Sequence, residues 1–192
     1  DASAAQHSQS LEAWFAHMPG LVVVCPGSVQ DNYSLLRSAM QCGDPVVYME
    51  HKTLWGLEGP VDESVQVPLG KAAVLRPGDH LTMVSWSRQV QVCQTACEQL
   101  AALGVQVELI DLRTLWPWDR ETVLKSAAKT GHLLVVHEAI QAAGFGAEIA
   151  ATVAETLCVR VKREALHDFR GRDLDGQLQP EAIGIEEVDR VD

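Results

Sequence analysis

Several short clusters in the sequence gather residue types that can move protons, hold ions or meet a partner. His7 stands in Gln6-His7-Ser8-Gln9-Ser10, just ahead of an amphipathic stretch, Leu11–Met18. Ser8 or Ser10 can cap that helix, and Glu12 in its first turn complements the dipole. A histidine at a helix N-terminus meets positive potential, which favours the neutral imidazole, an acid/base group suited to neutral pH. On spacing alone an ordinary surface histidine explains His7 as well. Glu50-His51-Lys52 and His137-Glu138 each end an apolar run, where ligands gather in open α/β sheets. For the charged triplet Glu50-His51-Lys52 an exposed polar strand end is the simpler account. Gly144-Phe145-Gly146 opens a helix and can turn backbone N–H groups towards an anion. It lacks the GxGxxG spacing, so close packing of helix on sheet is the better reading.

Asp111-Leu112-Arg113 and the aromatic run Trp116-Pro117-Trp118 share one loop. Two large aromatics there point to an interface or a core plug rather than to catalysis. Cys93 and Cys97 share a helix face, but no further ligand lies near them in sequence, so two buried small side chains are expected. The sequence contains no nucleophile elbow, no P-loop and no metal-ligand cluster.

The elements that must position these residues alternate between β-branched runs and helical stretches. Strands are expected at Leu21–Cys25, Pro45–Glu50, Leu81–Ser85, Val105–Ile110, Leu133–His137 and Val159–Lys162. A helix opens at Ser28 and runs to about Cys42, with Leu35, Leu36, Ala39 and Met40 on one face and Gly43 past its end. A second helix, Gln89–Leu103, turns Val92, Ala96, Leu100 and Leu103 inward. Asp119 is a plausible N-cap for a third helix, which ends at Thr130 before Gly131. Ala147–Leu157 is a fourth, and Asp111–Trp118 reads as a loop. Apolar strands separated by helices indicate a parallel sheet covered on both faces. Residues 71–163 therefore form one complete α/β domain. Residues 1–58 are too few to bury a parallel sheet of their own, and 59–70 is a linker rich in Gly and Pro.

The chain has 192 residues, 47% hydrophobic and 21% charged, with a net charge of −11. This excludes a disordered chain and argues against nucleic acid, which needs a basic footprint. No apolar run approaches the roughly 18 residues of a membrane span, so no membrane partner is expected. The first ten residues do not read as a secretory signal. Five irregularly spaced cysteines fit a reducing cytoplasm better than a disulfide framework. Residues 164–192 hold nine acids against three arginines and read as a solvated acidic tail.

Taken together, these motifs resemble the beta subunit of thiamine-diphosphate-dependent 2-oxoacid dehydrogenases, of the pyruvate, branched-chain and acetoin types. The likeness runs through His7-Ser8-Gln9-Ser10, Glu12-Ala13, His17-x-Pro19-Gly20, Asp44-Pro45-Val46-Val47, Glu50-His51-Lys52 and Pro68-Leu69-Gly70. It continues through Ile110-Asp111-Leu112-Arg113-Thr114-Leu115, Pro117-x-Asp119, Lys129-Thr130-Gly131, His137-Glu138-Ala139 and Gly144-Phe145-Gly146-Ala147-Glu148-Ile149. It covers roughly residues 6–163.

The resemblance implies a three-layer, parallel-sheet transketolase C-terminal-like domain at 71–163. Ahead of it, residues 1–58 would be the C-terminal remnant of a pyrimidine-binding domain. It implies a catalytic role for His7, whose counterpart serves proton transfers and acylation of the lipoyl group. In the family an earlier glutamate activates thiamine diphosphate, and the alpha subunit holds the diphosphate and magnesium. Neither lies in this chain, so it is expected to bind no cofactor alone. The family's potassium-site positions read Cys42 and Asp44 here. The expected function is that of a truncated homologue of a 2-oxoacid dehydrogenase beta subunit, inactive by itself. Its expected partners are a second copy of the chain, an alpha subunit and a dihydrolipoyl acyltransferase core. The alternatives are a non-catalytic dimerisation and assembly module and, third, an anion-binding regulator that uses Gly144–Gly146.

Overall fold

The computed structural model describes residues 7–166. The acidic tail beyond it, expected from residue 164, therefore lies outside the described residues except for its first three. In chain order the elements are α1 (Glu12–Ala16), β1 (Val22–Val24), α2 (Val29–Gln41), β2 (Val46–Tyr48), a 3-10 turn (Lys52–Leu54), β3 (Ala73–Arg76) and β4 (Leu81–Ser85). Then come α3 (Gln89–Ala102), β5 (Val107–Asp111), β6 (Thr114–Trp116), α4 (Arg120–Thr130), β7 (His132–Ile140), α5 (Gly146–Thr156) and β8 (Arg160–Leu166).

The larger sheet has the order β3-β5-β4-β7-β8. Its last four strands are parallel, and β3 is antiparallel to β5 at the edge. Successive residues of a strand point to opposite faces, and here both faces are buried. Met83, Leu109 and Leu134 pack on one side with Cys93, Cys97 and Leu100 of α3. Val84, Ile110, Leu133 and Val135 pack on the other with Val123 and Ala127 of α4 and Ile149 and Val153 of α5. This is the expected three-layer α/β architecture, and it places the two cysteines as core side chains. Gly78 is required where the turn before β4 meets β5: a Cβ there would lie 2.2 Å from the Val107 carbonyl carbon.

Local chemistry sets the helix ends. Ser28 Oγ accepts from the Asp31 amide at 3.1 Å and donates to the Asp31 carboxylate at 3.0 Å, opening α2. Asp119 Oδ1 accepts from the Thr122 amide at 3.2 Å, opening α4. Gly131, at φ +73°, closes it.

The structure corrects several sequence expectations. Thr114–Trp116, read as loop, is a strand that leaves the larger sheet and pairs antiparallel with β1, giving a small sheet of order β2-β1-β6. The bend between the sheets is made by Arg113, at φ +61°. Residues 1–58 thus take their third strand from the later part of the chain. Trp118 is buried and meets Phe145 edge-on at 6.4 Å, so it is a core plug, while Trp116 is part-exposed. The edge strand β3 has no counterpart among the expected elements, and β8 runs four residues past its expected end at Lys162. On α2 only Leu35 of the four expected apolar positions is buried; Leu36 and Met40 are exposed. On α3 the inward residues are Val90, Cys93, Ala96, Cys97 and Leu100, and Leu103 is exposed.

Candidate functional site

The carboxyl ends of β1, β2, β4 and β7 converge on one crevice between the two sheets. It encloses a cavity of about 100 Å³, with Ser10, Glu12, Met49, His51, Trp86 and Glu138 among its walls. Glu12 is buried because α1 lays it against the end of β4, where it accepts a hydrogen bond from Trp86 Nε1 at 3.2 Å. Burial pushes its carboxyl above the ordinary carboxylate range, against the opposing bonds from its own backbone and from Trp86.

Two sequence motifs expected separately meet here. His51 Nε2 lies 2.9 Å from Glu138 Oε2, and Arg88 Nη1 lies 3.0 Å from Glu138 Oε1. The other ring nitrogen of His51, Nδ1, accepts from the Thr53 amide at 3.2 Å, which assigns the proton to Nε2. Burial lowers the His51 pKa, Glu138 opposes that shift and Arg88 adds to it. Glu138 therefore ties the end of β2 to the end of β7 and the start of α3. Lys52, the third member of its triplet, is exposed.

Below this layer His137 is buried and stacked on Trp86, with ring centroids 5.2 Å apart and planes 11° apart. Neither ring nitrogen has a hydrogen-bond partner among the described residues. Burial first, then the charge of Arg163, pulls its pKa down to about 4. Gly144 and Gly146 wall the ring: a Cβ on either would stand 2.7 Å or less from an imidazole atom. The glycines therefore serve close packing against His137, as the sequence suggested for them in preference to an anion cradle.

Asp111 and Arg113 also separate into distinct roles. Arg113 Nη2 lies 2.7 Å from Asp31 Oδ1, across the two sheets, at an angle short of a hydrogen bond. Asp111 is fully buried, accepts from the Arg113 amide at 2.9 Å, and is pushed up to about 7, chiefly by burial.

His7 is exposed and lies five residues before α1. The helix has only five residues, begins at Glu12, and takes no side-chain cap, so neither Ser8 nor Ser10 caps it and its dipole does not reach His7. Gln9 and Ser10, two and three residues on, do line the cavity. The sequence reading missed the Glu12–Trp86 pair and Arg88. A tryptophan just past a strand end, whose indole N–H needs an acceptor when buried, was the available signal.

The family described as "Transketolase, C-terminal domain" matches residues 70–187, and "Transketolase, pyrimidine binding domain" matches residues 1–56. The chain belongs to the transketolase family. The C-terminal match extends past residue 163, so residues 164–187, read as outside the resemblance, fall within it. The pyruvate dehydrogenase E1 component subunit beta of Caenorhabditis elegans is 48% identical over 158 residues, covering 80% of this chain and 45% of the relative. The 2-oxoisovalerate dehydrogenase subunit beta 2 of Arabidopsis thaliana is 44% identical, covering 81% and 44%. The acetoin:2,6-dichlorophenolindophenol oxidoreductase subunit beta of Cupriavidus necator is 44% identical, covering 80% and 46%. The chain thus spans under half the length of these curated relatives. Among solved structures, a split-gene transketolase, described as an inactive beta4 tetramer, shares the fold with a TM-score of 0.75 at 22% identity. That match covers 85% of this chain and 54% of the other.

Transketolase-family enzymes of this kind depend on thiamine diphosphate. The crevice does not fit the diphosphate end of that cofactor. Its walls carry Glu12, Glu50 and Glu138; the one basic side chain lining it, His51, faces Glu138, as does Arg88 beside it. Among the described residues no cluster of three His, Cys, Asp or Glu side chains can hold a metal ion.

Proposed function

We propose that this chain supplies the beta-subunit side of a 2-oxoacid dehydrogenase decarboxylating component. The parent reaction would be oxidative decarboxylation of a 2-oxoacid in an assembly with an alpha subunit and a dihydrolipoyl acyltransferase core. The observation that carries this reading is the 48% identity over 158 residues to a pyruvate dehydrogenase beta subunit. The crevice at the strand ends supports it, because Glu12 is held there by Trp86 and Glu138 by His51 and Arg88. In this reading His7, beside cavity-lining Gln9 and Ser10, holds and passes a proton at the mouth of the crevice. Thiamine diphosphate and magnesium would be held by the partner, since the acid-walled crevice repels a diphosphate. Five free cysteines suit a reducing compartment, which we take to be the cytoplasm.

The test is direct. The purified chain, given thiamine diphosphate, magnesium and a 2-oxoacid, should release no carbon dioxide. Turnover by the chain alone would overturn the division of labour.

A second reading is favoured by the exposed large apolar side chains Trp14, Leu36 and Met40, which suit a non-catalytic assembly module that dimerises or docks a partner. It predicts association with an alpha subunit and no gain of activity on mixing, whereas the first predicts association together with a gain of activity.

A further inference from the structure

Beside the crevice, and sharing Glu50 and His51 with it, lies a larger cleft of about 350 Å³ between the start of α2 and the 3-10 turn. That volume lies within the range of small-molecule sites. Pro26, Val29, Leu54, Trp55 and Leu57 contribute apolar surface to it. Trp55 is 67% exposed and Leu57 40%, so neither is explained by the core.

The polar side of the cleft is built as a relay. The Tyr48 hydroxyl shares its proton between two acceptors on Asn32, the carbonyl oxygen at 2.8 Å and Oδ1 at 2.9 Å, and Asn32 Nδ2 donates to Glu50 Oε1 at 3.1 Å. Burial keeps the Tyr48 phenol protonated, so it remains a donor. The relay fixes Glu50 through one oxygen and leaves the other without a protein donor among the described residues. No basic side chain among the described residues pairs with Glu50. His51, with Nδ1 accepting from Thr53 and Nε2 on Glu138, brings no free charge into the cleft. The cleft therefore offers one oriented negative charge beside an apolar wall.

We propose that this cleft binds a small organic ammonium ion, with its alkyl or arylalkyl stem against Trp55, Leu54 and Val29 and its ammonium on Glu50. A neutral isostere forgoes the attraction between opposite charges, and a carboxylate would be repelled, so the site discriminates by charge as well as by shape. This goes beyond the 2-oxoacid reading and does not depend on it.

The experiment is an NMR titration of the Trp55 indole N–H in the whole chain with n-butylammonium, n-butanol and butyrate. Saturable binding of n-butylammonium is expected, at least tenfold tighter than either competitor. Glu50→Gln should abolish the preference for the ammonium. Tyr48→Phe, which keeps the charge and releases the relay, should weaken ammonium binding and leave the butanol shift unchanged. No saturable shift, equal binding of butanol, or a preference retained by folded Glu50→Gln or unaltered in Tyr48→Phe would overturn the proposal.

Discussion

His137 and Asp111 are ionisable groups buried where neither charged form is welcome, and they pull the pH dependence of stability in opposite directions. The His137 pKa falls from its ordinary value to about 4 on folding. The unfolded chain therefore takes up this proton first, and stability is lost as pH drops from about 6.5 towards 4. His137→Phe keeps a flat ring against Trp86 without titrating. Its urea midpoint should fall less steeply than that of the parent over that window. Asp111 rises to about 7 on folding, so the folded state holds its proton more tightly. Its contribution is present in acid and is lost as pH climbs from about 4 to about 7. Asp111→Asn should remove that loss and raise the urea midpoint, relative to the parent, most clearly above pH 7. Neither effect was legible in the sequence. A histidine at a strand end looks the same whether it faces water or a tryptophan, and only the packing of Gly144 and Gly146 decides between them.

At the scale of elements, much of the fold could be read because local chemistry and global packing agree. Ser28, Asp119 and Gly131 mark helix ends by side-chain capping or positive φ, and each is where the sequence put it. The four parallel strands β4, β5, β7 and β8 are apolar enough to be seen without a partner. β6 and β3 were illegible for the opposite reason. A three- or four-residue strand carries too little periodicity, and β6 finds its partner β1 some ninety residues earlier. That long-range pairing is supported by the ion pair between buried Asp31 and half-buried Arg113. Asp31→Ala would leave the half-buried guanidinium without this counter-charge; breaking a fully buried pair costs about 3–5 kcal/mol, and the partial exposure of Arg113 sets the expected loss below that range. Equilibrium unfolding should show that loss as a single transition covering both sheets, because β6 makes the small sheet depend on the large one. Two separate transitions would mean that the borrowed strand does not couple them.

For the whole molecule, the sequence reached the family through many individually weak motifs in the right order. The structure then supplied their geometry. Glu50-His51 and His137-Glu138, more than eighty residues apart, turn out to be two sides of one crevice. His7, to which the family likeness gave the catalytic role, is exposed and lies two residues before the cavity-lining Gln9, not at the start of a helix. With Glu12, Glu50 and Glu138 in its walls, the crevice disfavours a diphosphate, and the proposed function turns on a partner that brings one. The measurement that tests this most directly is light scattering of the purified chain, alone and mixed with the alpha subunit of a 2-oxoacid dehydrogenase, at micromolar concentration. The account expects a mixed species heavier than either component. Two components that stay separate, each at its unmixed mass, would contradict it.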